Sequence, residues 1–361
     1  MSRQMRRDAS INAASTVWSD DSKFLVTGHT MNAQSFEPSF SDAPDLIGHD
    51  ILAVIPPDFR LESGQQLEQT EVIARVYGPK NGPVVVAAGG ISAGRVLFAK
   101  EDATETAPGW WEGVAGPGEA LDLNTYRVMS IEFAPRLPAS RVYTITTHDQ
   151  ARLVRLLLDQ LGAEKIHAFI GASYGAMIAL AFAELYPDAV ERLCIISAAH
   201  RAHPMATAFR GLQRRLLRFG QENGRPQEGI SLARQLAMTT YRSSEEFSQR
   251  FDGPPPPEAG DNYTVCGYLR SRGDAYSATD VNRWISMSDS LDRHRVDPAR
   301  IKAKVFLAAV PTDRLVPYED MKDLHEKLAD SVFIDFPSLY GHDAFLKEIP
   351  LVSEIVRTAL K

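Results

Sequence analysis

The sequence predicts an α/β fold: a mostly parallel central sheet flanked by helices and interrupted by a helical insertion. Three observations lead there. Short, continuous apolar runs such as Val84–Ala88 and Val305–Val310 lie between turn signals, the mark of strands buried on both faces. A strand, a tight glycine turn, a helix and a second strand follow one another from Lys165 to Ser197, which requires a parallel sheet with right-handed crossovers. From Ala198 to about Pro298 the strand pattern stops and helical spacing replaces it.

In chain order, residues 1–47 are rich in Ser, Asp, Asn and Thr with weak periodicity, and read as a loosely ordered extension. Arg3, Arg6 and Arg7 precede no apolar stretch, so no secretory signal is expected there. Phe59–Glu62 alternates, Ser63-Gly64 marks a turn and Val72–Tyr77 follows, which reads as a hairpin at a sheet edge. Val84–Ala88 is a buried strand ending in Gly89-Gly90-Ile91-Ser92-Ala93-Gly94, and Tyr126–Ile131 is another strand. Thr147–Leu161 reads as a helix, with Leu153, Leu156, Leu157 and Leu161 on one side and Gly162 as its stop. Lys165–Ile170 is a strand, Ala176–Tyr186 a helix ended by Pro187, and Val190–Ser197 a strand.

Within the insertion, Met205–Phe219, Ile230–Tyr241 and Asp280–Ser290 read as helices, and Pro254–Pro257 as a loop. The α/β pattern returns with the strand Lys304–Val310, the helix Tyr318–Leu328, the strand Ser331–Phe336 and a last helix, Ile349–Leu360. The expected organisation is therefore an extension (1–47), a core (48–198 and 299–361) and a helical lid (199–298).

Composition narrows the function classes. The chain has 361 residues, a net charge of −7, 44% hydrophobic and 24% charged residues. That excludes a wholly disordered or fibrous chain. A net negative chain lacks the long-range cationic field of a nucleic-acid binder, so no nucleic-acid partner is expected. No apolar run approaches the ~20 residues of a membrane span. Two cysteines, Cys194 and Cys266, are too few for a disulfide framework, and no Cys/His spacing suggests a metal site. A cytoplasmic setting is expected.

The chemistry starts at Gly171-Ala172-Ser173-Tyr174-Gly175, a G-x-S-x-G set between a buried strand and a helix. That context is the nucleophile elbow, which holds a serine at a strand's C-terminal end with a helix N-terminus behind it. A serine needs a base, and elbow enzymes place the acid and then the base later in the chain. Asp313 follows the strand ending at Val310, and His342 lies in the loop after the strand ending near Phe336, so both fall on the rim that carries Ser173. Ser173 is thus the candidate nucleophile, His342 the base and Asp313 the residue that fixes its tautomer. The oxyanion donors are expected to be the N–H of Tyr174 and an N–H from the Gly89–Gly94 turn, assigned to Ile91.

The chain also resembles the homoserine O-acyltransferase family, which has an α/β-hydrolase fold. The resemblance is carried by Gly109-Trp110-Trp111-Glu112 with Gly116-Pro117-Gly118, by the elbow, by Gln213-Arg214, by Thr240-Tyr241-Arg242-Ser243 and most specifically by Tyr340–Leu346. It implies an acyl-serine made from an acyl-CoA and passed to the hydroxyl of homoserine, with no metal and no cofactor besides the acyl-CoA co-substrate. The short loop Glu132–Pro138, Tyr174 in place of the usual Met, and Gly-Gly-Ile-Ser in the oxyanion turn resemble the shorter, succinyl-CoA-using branch. Acetyl-CoA as donor, or serine as acceptor, stays open.

The match further implies Arg214 as the binder of the acceptor carboxylate, Tyr241 in the same pocket and Asp343 on the ammonium. A guanidinium suits bidentate capture of a carboxylate. A succinyl group needs one more cation. Arg95, which follows the oxyanion turn, is the first candidate, with Arg136 and Arg141 next. Trp110 and Trp111 either shape the pocket or fill the core. Lid helices offer apolar surface for a homodimer. The competing classes are an esterase or thioesterase on the same triad and a catalytically silent binding protein.

Overall fold

The computed structural model describes residues 45–99, 109–258, 260, 262–276 and 279–361. The expected extension lies outside them, except for its last three residues. These already belong to β1 (Asp45–Val54), which pairs antiparallel with β2 (Glu71–Gly78). The edge hairpin is therefore formed by 45–54 and 71–78, and the Phe59–Glu62 segment is a loop. Its alternation comes from Phe59 and Leu61, which are buried as anchors of that loop.

The remaining strands are β3 (Val84–Ala88), the two-residue pair β4 (Ala115–Gly116) and β5 (Leu121–Asp122), β6 (Arg127–Ile131), β7 (Ile166–Ala172), β8 (Val190–Ile196), β9 (Lys304–Ala309) and β10 (Ser331–Asp335). Eight strands form one sheet in the order β1-β2-β6-β3-β7-β8-β9-β10. β1, β2 and β6 are joined antiparallel, and every neighbouring pair from β6 to β10 is parallel. The continuous apolar runs follow from this arrangement. Val86, Phe169, Leu193, Ile195 and Leu307 pack into one core layer. Val85, Ala87, Ile170, Cys194 and Phe306, between them in sequence, pack into the opposite layer. Both faces are covered, so neither strand face needs polar residues.

The first layer is closed by α1 (Thr147–Leu161) and α2 (Tyr174–Leu185). Thr146 caps α1: its hydroxyl accepts from the Asp149 N–H at 3.1 Å while the Asp149 carboxylate accepts from the Thr146 N–H at 3.0 Å.

Among the described residues five α-helices lie between β8 and β9: α3 (Pro204–Glu222), α4 (Pro226–Tyr241), α5 (Ser244–Phe251), α6 (Thr264–Asp274) and α7 (Val281–Arg293). α3 and α4 touch at a glycine pair, where a Cβ on Gly220 would lie 2.8 Å from the Gly229 Cα. Leu217, Ile230, Ala233 and Ile285 make a small core of their own. The end of α7 is tied to the sheet by His294, whose ring joins the Thr147 hydroxyl (2.8 Å) to the Ala199 carbonyl (3.1 Å). Burial pushes this ring's pKa down to about 3, so it is a neutral link.

After β9 come α8 (Tyr318–Lys327), the short α9 (Ala344–Lys347) and α10 (Ile349–Leu360). α10 and the Trp111–Leu123 segment cover the second layer. Among the described residues no helix is long and apolar enough to cross a membrane.

Candidate active site

The turn between β7 and α2 is too tight for any residue but glycine at two points. A Cβ on Gly171 would sit 2.4 Å from the Ala176 Cα, and one on Gly175 would sit 2.1 Å from the Ala88 carbonyl oxygen. Ser173, between them, has φ 53° and ψ −116°, a region that L-residues avoid. The turn is pinned from both sides. Ser173 N–H donates to the Ile196 carbonyl of β8, and Gly175 N–H donates to Gly89, each at 2.9 Å. The strain is thus imposed by its surroundings and raises the hydroxyl at the end of β7.

His342 Nε2 lies 2.8 Å from Ser173 Oγ, and its Nδ1 lies 2.7 Å from Asp313 Oδ2. Asp313 is itself fixed, because its Oδ1 accepts the N–H groups of Leu315 (2.8 Å) and Val316 (3.0 Å). With its carboxylate on Nδ1, the ring proton belongs there, and Nε2 is left to accept the serine hydroxyl hydrogen. All three side chains are buried. Burial pushes the His342 pKa down, but the charge and hydrogen bond of Asp313 outweigh it, and the net direction is above the ordinary 6.5.

Gly90 borders Ser173: a Cβ there would be 4.0 Å from the Ser173 Cβ. The next N–H, of Ile91, and the N–H of Tyr174 at the start of α2 have no protein acceptor among the described residues. The side chain of Tyr174 is spent elsewhere. It packs edge-on against Phe133 and bonds the Ser290 hydroxyl of α7 at 2.7 Å, and burial raises its pKa to about 12.

Ser173, His342 and Ile91 open on a cavity of about 750 Å³ roofed by the helices between β8 and β9. Tyr241 and Asp343 also line it. Tyr241 stacks on the His342 ring at 6.1 Å. Asp343 lies 2.9 Å from Arg242 Nε, although that N–H is not aligned for a hydrogen bond. Burial raises the Asp343 pKa, and Arg242 pulls it back only in part. The two tryptophans divide: Trp110 lines the cavity, and Trp111 fills the core with its indole N–H donating to the Phe345 carbonyl.

Two of the sequence assignments are corrected here. Arg95 is not on the cavity: its guanidinium is held by Asp50 (2.9 Å) and Glu132 (2.6 Å), so its charge is consumed. Arg136 is exposed and Arg141 faces Glu68, and neither lines the cavity. Arg214 does not line it either. Its Nη1 donates to Ser288 Oγ (2.9 Å) and Asp292 (2.6 Å). The arginines that reach the cavity include Arg210, one turn earlier on the same helix face, and Arg234 on α4. Arg234 lies over the rings of Tyr276 (4.0 Å) and Tyr241 (5.2 Å) and has no acidic partner among the described residues. Its position two helical turns before Tyr241 puts both on one face of α4, a signal present in the spacing.

A family model described as the alpha/beta hydrolase fold matches residues 107–348. The chain is 39% identical to a homoserine O-succinyltransferase of Xanthomonas campestris pv. campestris, over 99% of this chain and 96% of that protein. The chain belongs to the homoserine O-acyltransferase family. A homoserine O-acetyltransferase of Symbiobacterium thermophilum is 29% identical over 83% of this acyltransferase and 91% of its own length. The crystal structure of a homoserine O-acetyltransferase from Bacillus anthracis superposes with a TM-score of 0.77, covering 87% of this chain and 98% of that one at 20% identity. The acyltransferase thus shares the α/β-hydrolase fold of its relatives.

Proposed function

We propose that this acyltransferase moves the succinyl group of succinyl-CoA to the hydroxyl of L-homoserine through an acyl-serine. The observation that carries the reading is that the cavity onto which the buried Ser173–His342–Asp313 triad opens is also lined by a cationic and an anionic side chain, Arg234 and Asp343. The unpaired guanidinium of Arg234 suits the acceptor carboxylate, and Asp343, beside His342, suits its ammonium. A hydrolase has no use for either. The donor assignment leans on the Xanthomonas campestris relative, a homoserine O-succinyltransferase that matches 99% of this chain.

In the first half-reaction His342 Nε2 takes the Ser173 proton as Oγ attacks the thioester carbon. The N–H groups of Tyr174 and Ile91 hold the oxyanion. The C–S bond breaks, and the CoA sulfur leaves with the proton from His342. In the second, His342 deprotonates the homoserine hydroxyl, which attacks the acyl-serine carbon, and the proton returns to Ser173 Oγ. No metal or cofactor takes part; acyl-CoA is a co-substrate. The roofing helices keep water, at ~55 M in bulk, away from the intermediate. The setting is cytoplasmic, where CoA thioesters are made and thiols such as Cys194 and Cys266 stay reduced. The cell fraction that carries the activity tests this.

A crossed assay decides the reading. Succinyl-CoA with homoserine is expected to give the highest kcat/KM among the four pairings of acetyl-CoA or succinyl-CoA with homoserine or serine. A higher value for serine, or for acetyl-CoA, overturns the acceptor or the donor. Free succinate as the sole product overturns transfer itself.

Met205, Leu212 and Phe219 recur at two-turn intervals along α3 and are exposed, and Leu232 of α4 is exposed as well. This stripe supports a homodimer packed through these helices. Sedimentation velocity is expected to show a dimer that Phe219→Lys weakens. A monomer at micromolar concentration contradicts it.

A further inference from the structure

We propose that Arg210 holds the distal carboxylate of the acyl donor and so selects a dicarboxylic acyl group; this rests on the transfer reaction proposed above. Asp292 sits between two guanidiniums. Its Oδ1 accepts from Arg210 Nε at 2.7 Å and its Oδ2 from Arg214 Nη1 at 2.6 Å. Two cations share one anion, so one positive charge is left over in a place where all three side chains are at most 13% exposed.

Arg214 has a second acceptor, Ser288, and stands back from the cavity. Arg210 lines the cavity, and its two terminal nitrogens have no partner among the described residues, Nη2 being fully buried. A buried donor without an acceptor keeps its desolvation cost uncompensated. A carboxylate bound there would recover that cost and neutralise the surplus charge. Asp292 holds the Nε edge, so the guanidinium is oriented before the ligand arrives.

The other cavity arginines are committed. Arg201 pairs with Asp320 at 3.2 Å. Arg283 donates to the carbonyls of Pro135 (2.8 Å) and Phe133 (3.2 Å). Arg234 serves the acceptor in the reading above. Arg210 remains, and it is close enough for its charge to act on both the His342 ring and Tyr241. Succinyl differs from acetyl by one methylene and one carboxylate. A butyryl chain has similar length and no charge, and would leave Arg210 unpaired.

The test compares kcat/KM for succinyl-, butyryl- and acetyl-CoA in the wild type, Arg210→Met and Arg210→Lys. The wild type is expected to favour succinyl-CoA over butyryl-CoA. Arg210→Met is expected to lose ~100-fold with succinyl-CoA, the order of one charged hydrogen-bonded pair, and far less with acetyl-CoA. Arg210→Lys should fall between, and the homoserine KM should stay within about twofold, as for an untouched subsite. Equal losses with all donors, or a raised homoserine KM with donor preference intact, overturns the assignment of Arg210. If Arg210→Met fails to fold, Arg210→Lys and the wild-type donor ratio still decide, since equal use of succinyl- and butyryl-CoA leaves no role for the cation. A wild type that uses acetyl-CoA and ignores succinyl-CoA overturns the donor reading instead, and this assignment with it.

Discussion

Ser173→Ala is expected to lower acyl transfer at least ~10⁴-fold, because it removes the attacking atom and leaves only binding and the oxyanion donors. The loss should fall on kcat, with CoA release from succinyl-CoA failing along with product formation, since both half-reactions use the same oxygen. The fold should survive: among the described residues Ser173 Oγ bonds only His342, and the backbone of the elbow is held by Ile196 and Gly89. A companion variant separates chemistry from strain. Ser173→Gly is equally inactive but relieves a backbone conformation that costs a side-chain-bearing residue about 1–3 kcal/mol, so it should melt higher than Ser173→Ala. Calorimetry reads this directly. Substantial turnover in either variant contradicts the role of Ser173, and equal melting temperatures contradict the stored strain.

Asp313→Asn should cost nearly as much, ~10⁴-fold in kcat by analogy with other serine triads, without disturbing packing. The reason is the hydrogen-bond pattern. Oδ1 must go on accepting the N–H groups of Leu315 and Val316, so an asparagine turns its NH₂ toward His342 Nδ1. Nδ1 then has to accept, the ring proton moves to Nε2, and Ser173 faces a donor where it needs an acceptor.

The pH profile should shift as well. In the proposed mechanism His342 works as a neutral base, so wild-type kcat/KM is expected to fall as the pH drops through a value above 6.5. Without the charge and hydrogen bond of Asp313, burial is the largest influence left on the ring, with Asp343 and Arg210 opposing each other, so the acid limb of the residual activity moves to lower pH. A loss under about tenfold, or an acid limb that does not move, would show that Asp313 does not orient the base.

Much of this was legible because local pattern and burial agree. β3, β7, β8 and β9 alternate between two covered faces, so their apolar runs are continuous and easily read. The elbow is legible because only glycine fits at 171 and 175. β1 was missed because it is an edge strand with most residues partly or fully exposed, which leaves no clean alternation. α5 and α6 were missed because their buried positions are Glu246 and Gly273, not an apolar stripe. The arginines show where sequence stops. Arg95 is silenced by partners at 50 and 132, and Arg214 by one at 292, pairings that no local pattern announces. Arg210 and Arg214 share a helix face, and only the course of α7 decides which keeps a free edge.

In the proposed reaction the acyl group rests on Ser173 between two substrates. Rapid-quench mass spectrometry of the intact chain mixed with succinyl-CoA, before any homoserine is added, tests it most directly. One succinyl adduct per chain is expected, located on the Gly171–Gly175 peptide at Ser173, which homoserine discharges as its O-succinyl ester. Product formed with no adduct, or an adduct that persists in Ser173→Ala, would contradict it.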